Sequence, residues 1–232
     1  MHSAEKCLTN RGITTATNPA VRPGWDWSII VTSTTRTTCL KGILIGSVFM
    51  STRTEATIED LYHVSWDGKA EIVDGELVLM SPTGDLPSTA AGEIFTSLRE
   101  YGRRTKIGRA YTDNAAFIVN LPNRKSFSPD AAFYIGPRTG AKFLESAPIF
   151  AAEVRSEGSY GARAEAKMTR KRADYFAAGT LVVWDVDVLR DRVIRCYRSD
   201  DPAKAAVFHR GEFANAEPAL PGWSMPVDDL FA

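Results

Sequence analysis

The chain has 232 residues, 28 Lys+Arg against 28 Asp+Glu, and a formal net charge of zero at pH 7. That balance rules out the global basic field of a strong nucleic-acid binder, so any nucleic-acid surface must be local, and the length suits one well-cored domain better than two. Three cysteines without metal spacing (Cys7, Cys39, Cys196) and three scattered histidines give neither a disulfide framework nor a zinc site, which makes a reducing cytoplasm the expected compartment.

Residues 1–49 differ from the rest: they are rich in threonine, nearly free of acids, and hold Cys7 and Cys39. Their apolar run at 42–49 is too short to span a bilayer, which takes about 20 residues, and lies too far in for a signal peptide. The expectation is a disordered extension or an over-called start over 1–49, Met50 as the true start, and a single domain over 50–232 with no membrane segment.

From Thr57 the pattern becomes that of a globular domain. Thr57 with Asp60 three residues on predicts a short capped helix. Strands at 70–73 and 76–80 flank Asp74-Gly75, a strong hairpin signal, and the hairpin is expected to open a mixed sheet. From Pro87 to about Arg104, residues Ala91, Ile94, Phe95, Leu98 and Tyr101 recur at helical spacing and predict an amphipathic helix packed on that sheet. Strands follow at 108–113 and 115–120, then a loop over 121–127 that exposes Asn123, Arg124, Lys125 and Ser126.

The chemistry concentrates in the next sixty residues. A short apolar run over 128–135 is opened by Pro129, permitted at a strand's first residue, and puts Asp130 at the strand start. A second run over 148–155 is apolar on both parities, as in a strand covered on two faces, and Glu153 interrupts it. A buried ionised carboxylate without a partner would neutralise; a divalent cation shared with Asp130 would remove the problem. The helix predicted over 161–178, closed by Gly179, aligns Ala164, Met168, Lys171, Tyr175 and Ala178 on one inward stripe, with Arg163, Arg170 and Asp174 outward. A lysine in an apolar stripe either snorkels out or reaches an anion, and two nearby carboxylates favour the second. A strand at 181–188 pairs with 193–197 across Arg190-Asp191, and 206–209 with 211–214 suggest a C-terminal hairpin, His209 being a surface strand residue.

Pro129-Asp130, Glu153-x-Arg155, Lys171-x-x-x-Tyr175 and the run from Leu181 to Asp187 together resemble the PD-(D/E)XK restriction-endonuclease superfamily, and more narrowly its Uma-two branch, a restriction-endonuclease-like domain of unknown function. The resemblance covers roughly residues 57–231. It implies an α/β (α+β) fold: a mixed β-sheet flanked by helices, with N-terminal and C-terminal β-hairpins. It further implies Mg²⁺, or Mn²⁺, held by Asp130 and Glu153, and a basic group beside the scissile phosphate. The superfamily's lysine position is Arg155 here, so the lysine role passes to Lys171. Glu71 is implied as a further metal-site acid, an exposed strand glutamate being the alternative. A histidine that many branch members carry after the hairpin's Ser-Pro is missing. The implied partner is nucleic acid, DNA first, and a homodimer would suit cutting of both strands.

Other chemistries lack their motifs: no GxxxxGK[ST] loop, no GxGxxG and no GxSxG occur. Arg155 cannot act as a base, which leaves Lys171 as the candidate if a side-chain base is used. Two other readings stay open. One is a catalytically inactive nuclease-like scaffold kept for DNA binding or protein interaction. The other is an α/β domain in which Glu153 and Lys171 are a structural ion pair. Basic clusters at Arg99, Arg103, Arg104, Lys106 and Arg109, and at Arg163, Lys167, Arg170, Lys171 and Arg172, are either solvated helix faces or local binding surface.

Overall fold

The computed structural model describes residues 55–64 and 68–231; the expectations for residues 1–49 and for a start at Met50 lie outside them. Helix α1 (Ile58–His63) opens with the expected capping box: Thr57 Oγ1 accepts from the Asp60 amide at 3.2 Å, and the Asp60 carboxylate accepts from the Thr57 amide at 2.8 Å. Strands β1 (Lys69–Val73) and β2 (Glu76–Met80) form the hairpin. Asp74 and Gly75 both have positive φ, +52° and +73°, as a type I′ turn requires.

The hairpin does not open the main sheet, as expected, but forms a two-stranded sheet of its own. The reason lies in residues 123–127, expected as an exposed loop. The Lys125 amide donates to the Ile72 carbonyl at 3.0 Å, Ser126 Oγ accepts from the Ile72 amide at 2.9 Å, and the Asp74 amide donates to the Asn123 carbonyl at 2.8 Å. This strap docks β1 and buries Arg124 and Ser126 with it.

Helix α2 (Asp85–Thr105) follows and buries Ile94, Leu98 and Tyr101, the stripe its periodicity marks. The chain returns where α2 meets β3 (Arg109–Thr112), at Gly108, whose missing side chain is needed: a Cβ there would stand 2.5 Å from the Phe133 ring. Next come β4 (Phe117–Ile118), β5 (Ser126–Phe127), β6 (Ala131–Tyr134), β7 (Leu144–Glu145) and β8 (Phe150–Val154). Then follow α3 (Ala162–Ala177), β9 (Val182–Asp187), β10 (Val193–Arg198), β11 (Asp201–His209), β12 (Phe213–Asn215) and β13 (Ser224–Pro226).

Six strands make the main sheet in the order β11-β10-β9-β8-β6-β3. Within this sheet only β8 and β9 run parallel, with α3 as their crossover. Strands β4, β5 and β7 form a small separate sheet. The expected hairpin of 206–209 with 211–214 is not formed: β11 extends the main sheet from β10, and β12 pairs with β13. Alternation across β8 explains what the site becomes. Phe150, Ala152 and Val154 pack with Trp184 and Val186 in the layer beneath α2, whereas Ala151 faces Val183 and Tyr175 beneath α3. Parity therefore turns Glu153 toward α3.

Ser126 joins the strap to β1 from a fully buried position. Ser126→Ala strands the Ile72 amide and is expected to lower stability by about 1–3 kcal/mol, read as a lower urea midpoint at unchanged slope.

Candidate active site

Five segments bring charged side chains to one cleft of about 540 Å³. Glu153 enters it from β8, and α3 supplies two donors one turn apart. Lys171 Nζ donates to Glu153 Oε2 at 2.7 Å, and Tyr175 OH to Oε1 at 2.6 Å. From β1, Glu71 Oε1 meets the same Lys171 ammonium at 2.9 Å and accepts from the Ser128 amide at 2.9 Å. The strap's Arg124 donates to Glu71 Oε2 at 2.6 Å and, through Nε, to Asp174 of α3 at 2.8 Å. Asp130, one residue ahead of β6, accepts from the Val154 amide at 2.7 Å and from Lys69 at 2.8 Å; Lys69 also meets Asp113 at 2.5 Å. Val78, Met80 and Pro82 from the hairpin side and Ala164 and Met168 from α3 form the apolar walls.

Burial pushes the Glu153 carboxyl above the ordinary range; Lys171 opposes the shift, and the neighbouring Asp130 and Glu71 charges reinforce it. Burial also disfavours charge on Lys171, but Glu153 and Glu71 outweigh it and hold the ammonium protonated. Glu71 resists burial too and is kept ionised by Lys171 and Arg124. Lys69 is held protonated against its burial by Asp130 and Glu153. Five carboxylates (Glu71, Asp113, Asp130, Glu153, Asp174) thus face three cations (Lys69, Arg124, Lys171). The cluster is two positive charges short when every acid is ionised, and all its anionic donors are hard oxygens, the donor set that suits Mg²⁺ or Mn²⁺. Among the described residues no three Asp, Glu, His or Cys side chains converge as a ready-made ligand set. Every oxygen of Glu71, Asp130 and Glu153 already has a partner: Glu71 has Lys171, Arg124 and Ser128, Asp130 has Lys69 and the Val154 amide, and Glu153 has Lys171 and Tyr175, so an incoming dication would have to share these oxygens with the donors present.

Arg155 is not part of this cleft. Strand β8 ends at Val154, and the guanidinium beyond it grips Asp185 of β9 through Nε at 2.6 Å and Nη2 at 2.7 Å, while also bonding both oxygens of Glu165. Arg172 lies on the Tyr197 ring, 4.0 Å from its centroid, and reaches Asp185 at 3.4 Å. Asp174, expected on the outward face, is buried against Arg124 and Asn123. Glu71 is buried rather than an exposed strand residue.

Of the expected site residues, Asp130, Glu153, Lys171 and Glu71 come together and Arg155 does not. Lys69, Arg124 and the Tyr175 hydroxyl are members that sequence reasoning missed. Lys69 carried a usable signal, since it precedes Glu71 by two and must share its face of the strand. Arg124 carried none, because Asn-Arg-Lys-Ser reads as a solvated run.

Residues 57–228 match the Uma2 family, described as "Putative restriction endonuclease". The chain belongs to the Uma2 family. The mixed α/β fold agrees, and so does the restriction-endonuclease-like resemblance of the motifs. A solved structure from Anabaena variabilis ATCC 29413, described as "a putative nuclease belonging to DUF820", is similar to this Uma2 chain with a TM-score of 0.58. The two share 17% sequence identity, over 71% of this chain and 90% of that one, so the likeness is one of fold. No curated protein matches the chain. Among the described residues no helix is long and apolar enough to cross a membrane.

Lys171→Met removes the cation that Glu71 and Glu153 share. The variant is expected to lose about 3–5 kcal/mol at pH 7, the cost of leaving buried carboxylates without their partner. In the wild type, Glu71 has a lowered folded pKa, so its stabilisation is present above its ordinary value of 4.5 and lost as pH falls through the folded one. Without Lys171 both carboxyls titrate higher and accept protons instead. The deficit should therefore narrow between pH 7 and pH 5 in urea titrations.

Proposed function

We propose that this Uma2 chain is a metal-dependent endonuclease that hydrolyses phosphodiester bonds in DNA, with Mg²⁺ or Mn²⁺ held by Asp130 and Glu153. The observation that carries the reading is the meeting of Asp130, Glu153 and Lys171 in one cleft, at the centre of an ion-pair network whose carboxylates outnumber its cations once Asp113 and Asp174 behind the cleft are included. When bound, such an ion supplies Lewis-acid stabilisation of charge on phosphoryl oxygens and lowers the pKa of nearby water.

The chain's own residues take the remaining roles. The Val154 amide fixes Asp130, and Tyr175 fixes Glu153, so both carboxylates are held before substrate arrives. Lys171 is held protonated, which makes it a cation for the nonbridging oxygens rather than a base. Glu153, whose carboxyl burial pushes above the ordinary range, is the acid that a bound dication would stabilise most in its ionised form. Glu71 positions Lys171. Arg155 serves the fold through Asp185. The apolar walls limit water around the carboxylates.

A second reading, a non-catalytic DNA-binding or protein-interaction module, draws on one observation. Lys171 already has two carboxylate partners, and Arg155, at the superfamily's lysine position, is committed elsewhere.

Calorimetry with Mg²⁺ and Mn²⁺, followed by plasmid nicking, separates the two. Asp130→Asn and Glu153→Gln are each expected to lose ion binding, and Lys171→Ala to abolish nicking by folded protein. A folded wild type that binds neither ion sinks the catalytic reading and leaves Glu153 and Lys171 as a structural pair.

A further inference from the structure

The cleft is lined by five cations of two kinds. Lys69, Arg124 and Lys171 are buried or nearly so and engaged by carboxylates of the floor, whereas Lys167 and Arg170 are exposed on α3 at its rim. Arg163, Lys167 and Arg170 recur at i, i+4 and i+7, so they share one face of α3 and span about 10 Å of its axis. That is close to the rise of three stacked nucleotides, about 3.4 Å each along a strand.

Arg170 has an informative partner. Its Nη2 and Nη1 bond the two oxygens of Asp74 at 2.7 and 2.8 Å, a two-point grip between α3 and the tip of the β1–β2 hairpin. Both side chains are about half exposed, at 52% and 54%. An exposed ion pair of this kind contributes little net stability, so exchanging its partner costs little. The guanidinium fork that fits a carboxylate fits a phosphate in the same two-point manner.

We propose that Lys167 and Arg170, with Arg163 one turn away, dock the phosphate backbone of the DNA beside the cleft, and that Arg170 exchanges Asp74 for a phosphate as the strand binds. Asp74 holds the guanidinium extended over the rim and competes with the substrate for it. This rests on the nuclease reading for the identity of the polyanion, and adds the surface that holds it and a carboxylate that opposes it.

The test is fluorescence anisotropy with a labelled duplex DNA in EDTA across a range of salt, with thermal midpoints to verify folding. Arg170→Ala and Lys167→Ala should each weaken binding several-fold, up to about tenfold, and each should flatten the slope of log K against log salt by about one. Asp74→Asn keeps a residue suited to the turn's positive φ and should tighten binding several-fold, opposite in sign to Arg170→Ala. Unchanged affinity and slope in Arg170→Ala overturn the proposal. So does weaker binding by Asp74→Asn, which would make the pair only a strut shaping the cleft, and so does a wild type that binds no duplex. Divalent-ion nicking is read separately: DNA binding with no nicking sinks the catalytic reading and leaves the docking surface standing, while nicking that Arg170→Ala and Lys167→Ala leave untouched does the reverse.

Discussion

One buried ammonium ties the cleft together. Lys171 reaches from α3 to Glu153 on the main sheet and to Glu71 on a hairpin outside that sheet, so three segments far apart in sequence meet at a single charge. In surroundings of low dielectric the ammonium opposes the upward push of burial on both carboxyls, a role it shares with Arg124 at Glu71. Arg124 adds a second tie. It joins Glu71 to Asp174, three residues along α3 from Lys171, so the hairpin is held to the helix at two neighbouring points. The strap that carries Arg124 also bonds the backbone of β1, which makes the position of Glu71 a property of backbone and side chains together.

The same face of the sheet carries a second charged network with a different balance. Glu153 and Asp185 are register neighbours on the parallel strands β8 and β9, yet they belong to different sets. Asp185 is fully buried and gripped by both Arg155 and Arg172. Around Glu153 the acids outnumber the cations. This division accounts for arginine at position 155. A guanidinium satisfies both oxygens of Asp185 and still reaches Glu165, which the point charge of a lysine at that position could not do. The lysine facing Glu153 then has to come from α3, where the sequence has it.

What was legible in the sequence follows from violations of local pattern. Asp130 opens one apolar run, Glu153 interrupts another, and Lys171 interrupts an apolar helical stripe; each implies a partner, and a partner exists for each. Asp74-Gly75 gave its turn because the required backbone angles are local. What was not legible depends on distant partners. Arg124 and Ser126 are buried by a hairpin more than fifty positions earlier, and nothing in their own neighbourhood distinguishes them from a polar loop. Asp174 was misplaced for the same reason, since its inward turn exists only because Arg124 is there. Strand β12 reads correctly as a strand, but alternation does not say which neighbour it takes: it pairs with β13, and β11 pairs with β10. Arg155 sits two positions from Glu153 and shares its parity, but β8 ends between them, and a strand end is the feature that pattern locates least well.

The zero net charge of the chain conceals a local order that bears on how a nuclease of this shape would work. Within the cleft, the floor acids Glu71, Asp130 and Glu153 are paired with Lys69, Arg124 and Lys171, while the exposed lining cations Lys167 and Arg170 stand at the rim on α3 beside Asp74. A polyanion, on the proposed reading, meets exposed cations only at the rim, because those of the floor are already engaged by carboxylates. Under the proposed reading, docking needs only the basic stripe and proceeds without divalent ions. Under that same reading, chemistry requires a dication at Asp130 and Glu153. One helix presents both faces: Lys171 and Tyr175 turn inward to the carboxylates and Lys167 and Arg170 outward, so under the proposed reading the rotation of α3 about its axis sets the register between binding and cleavage.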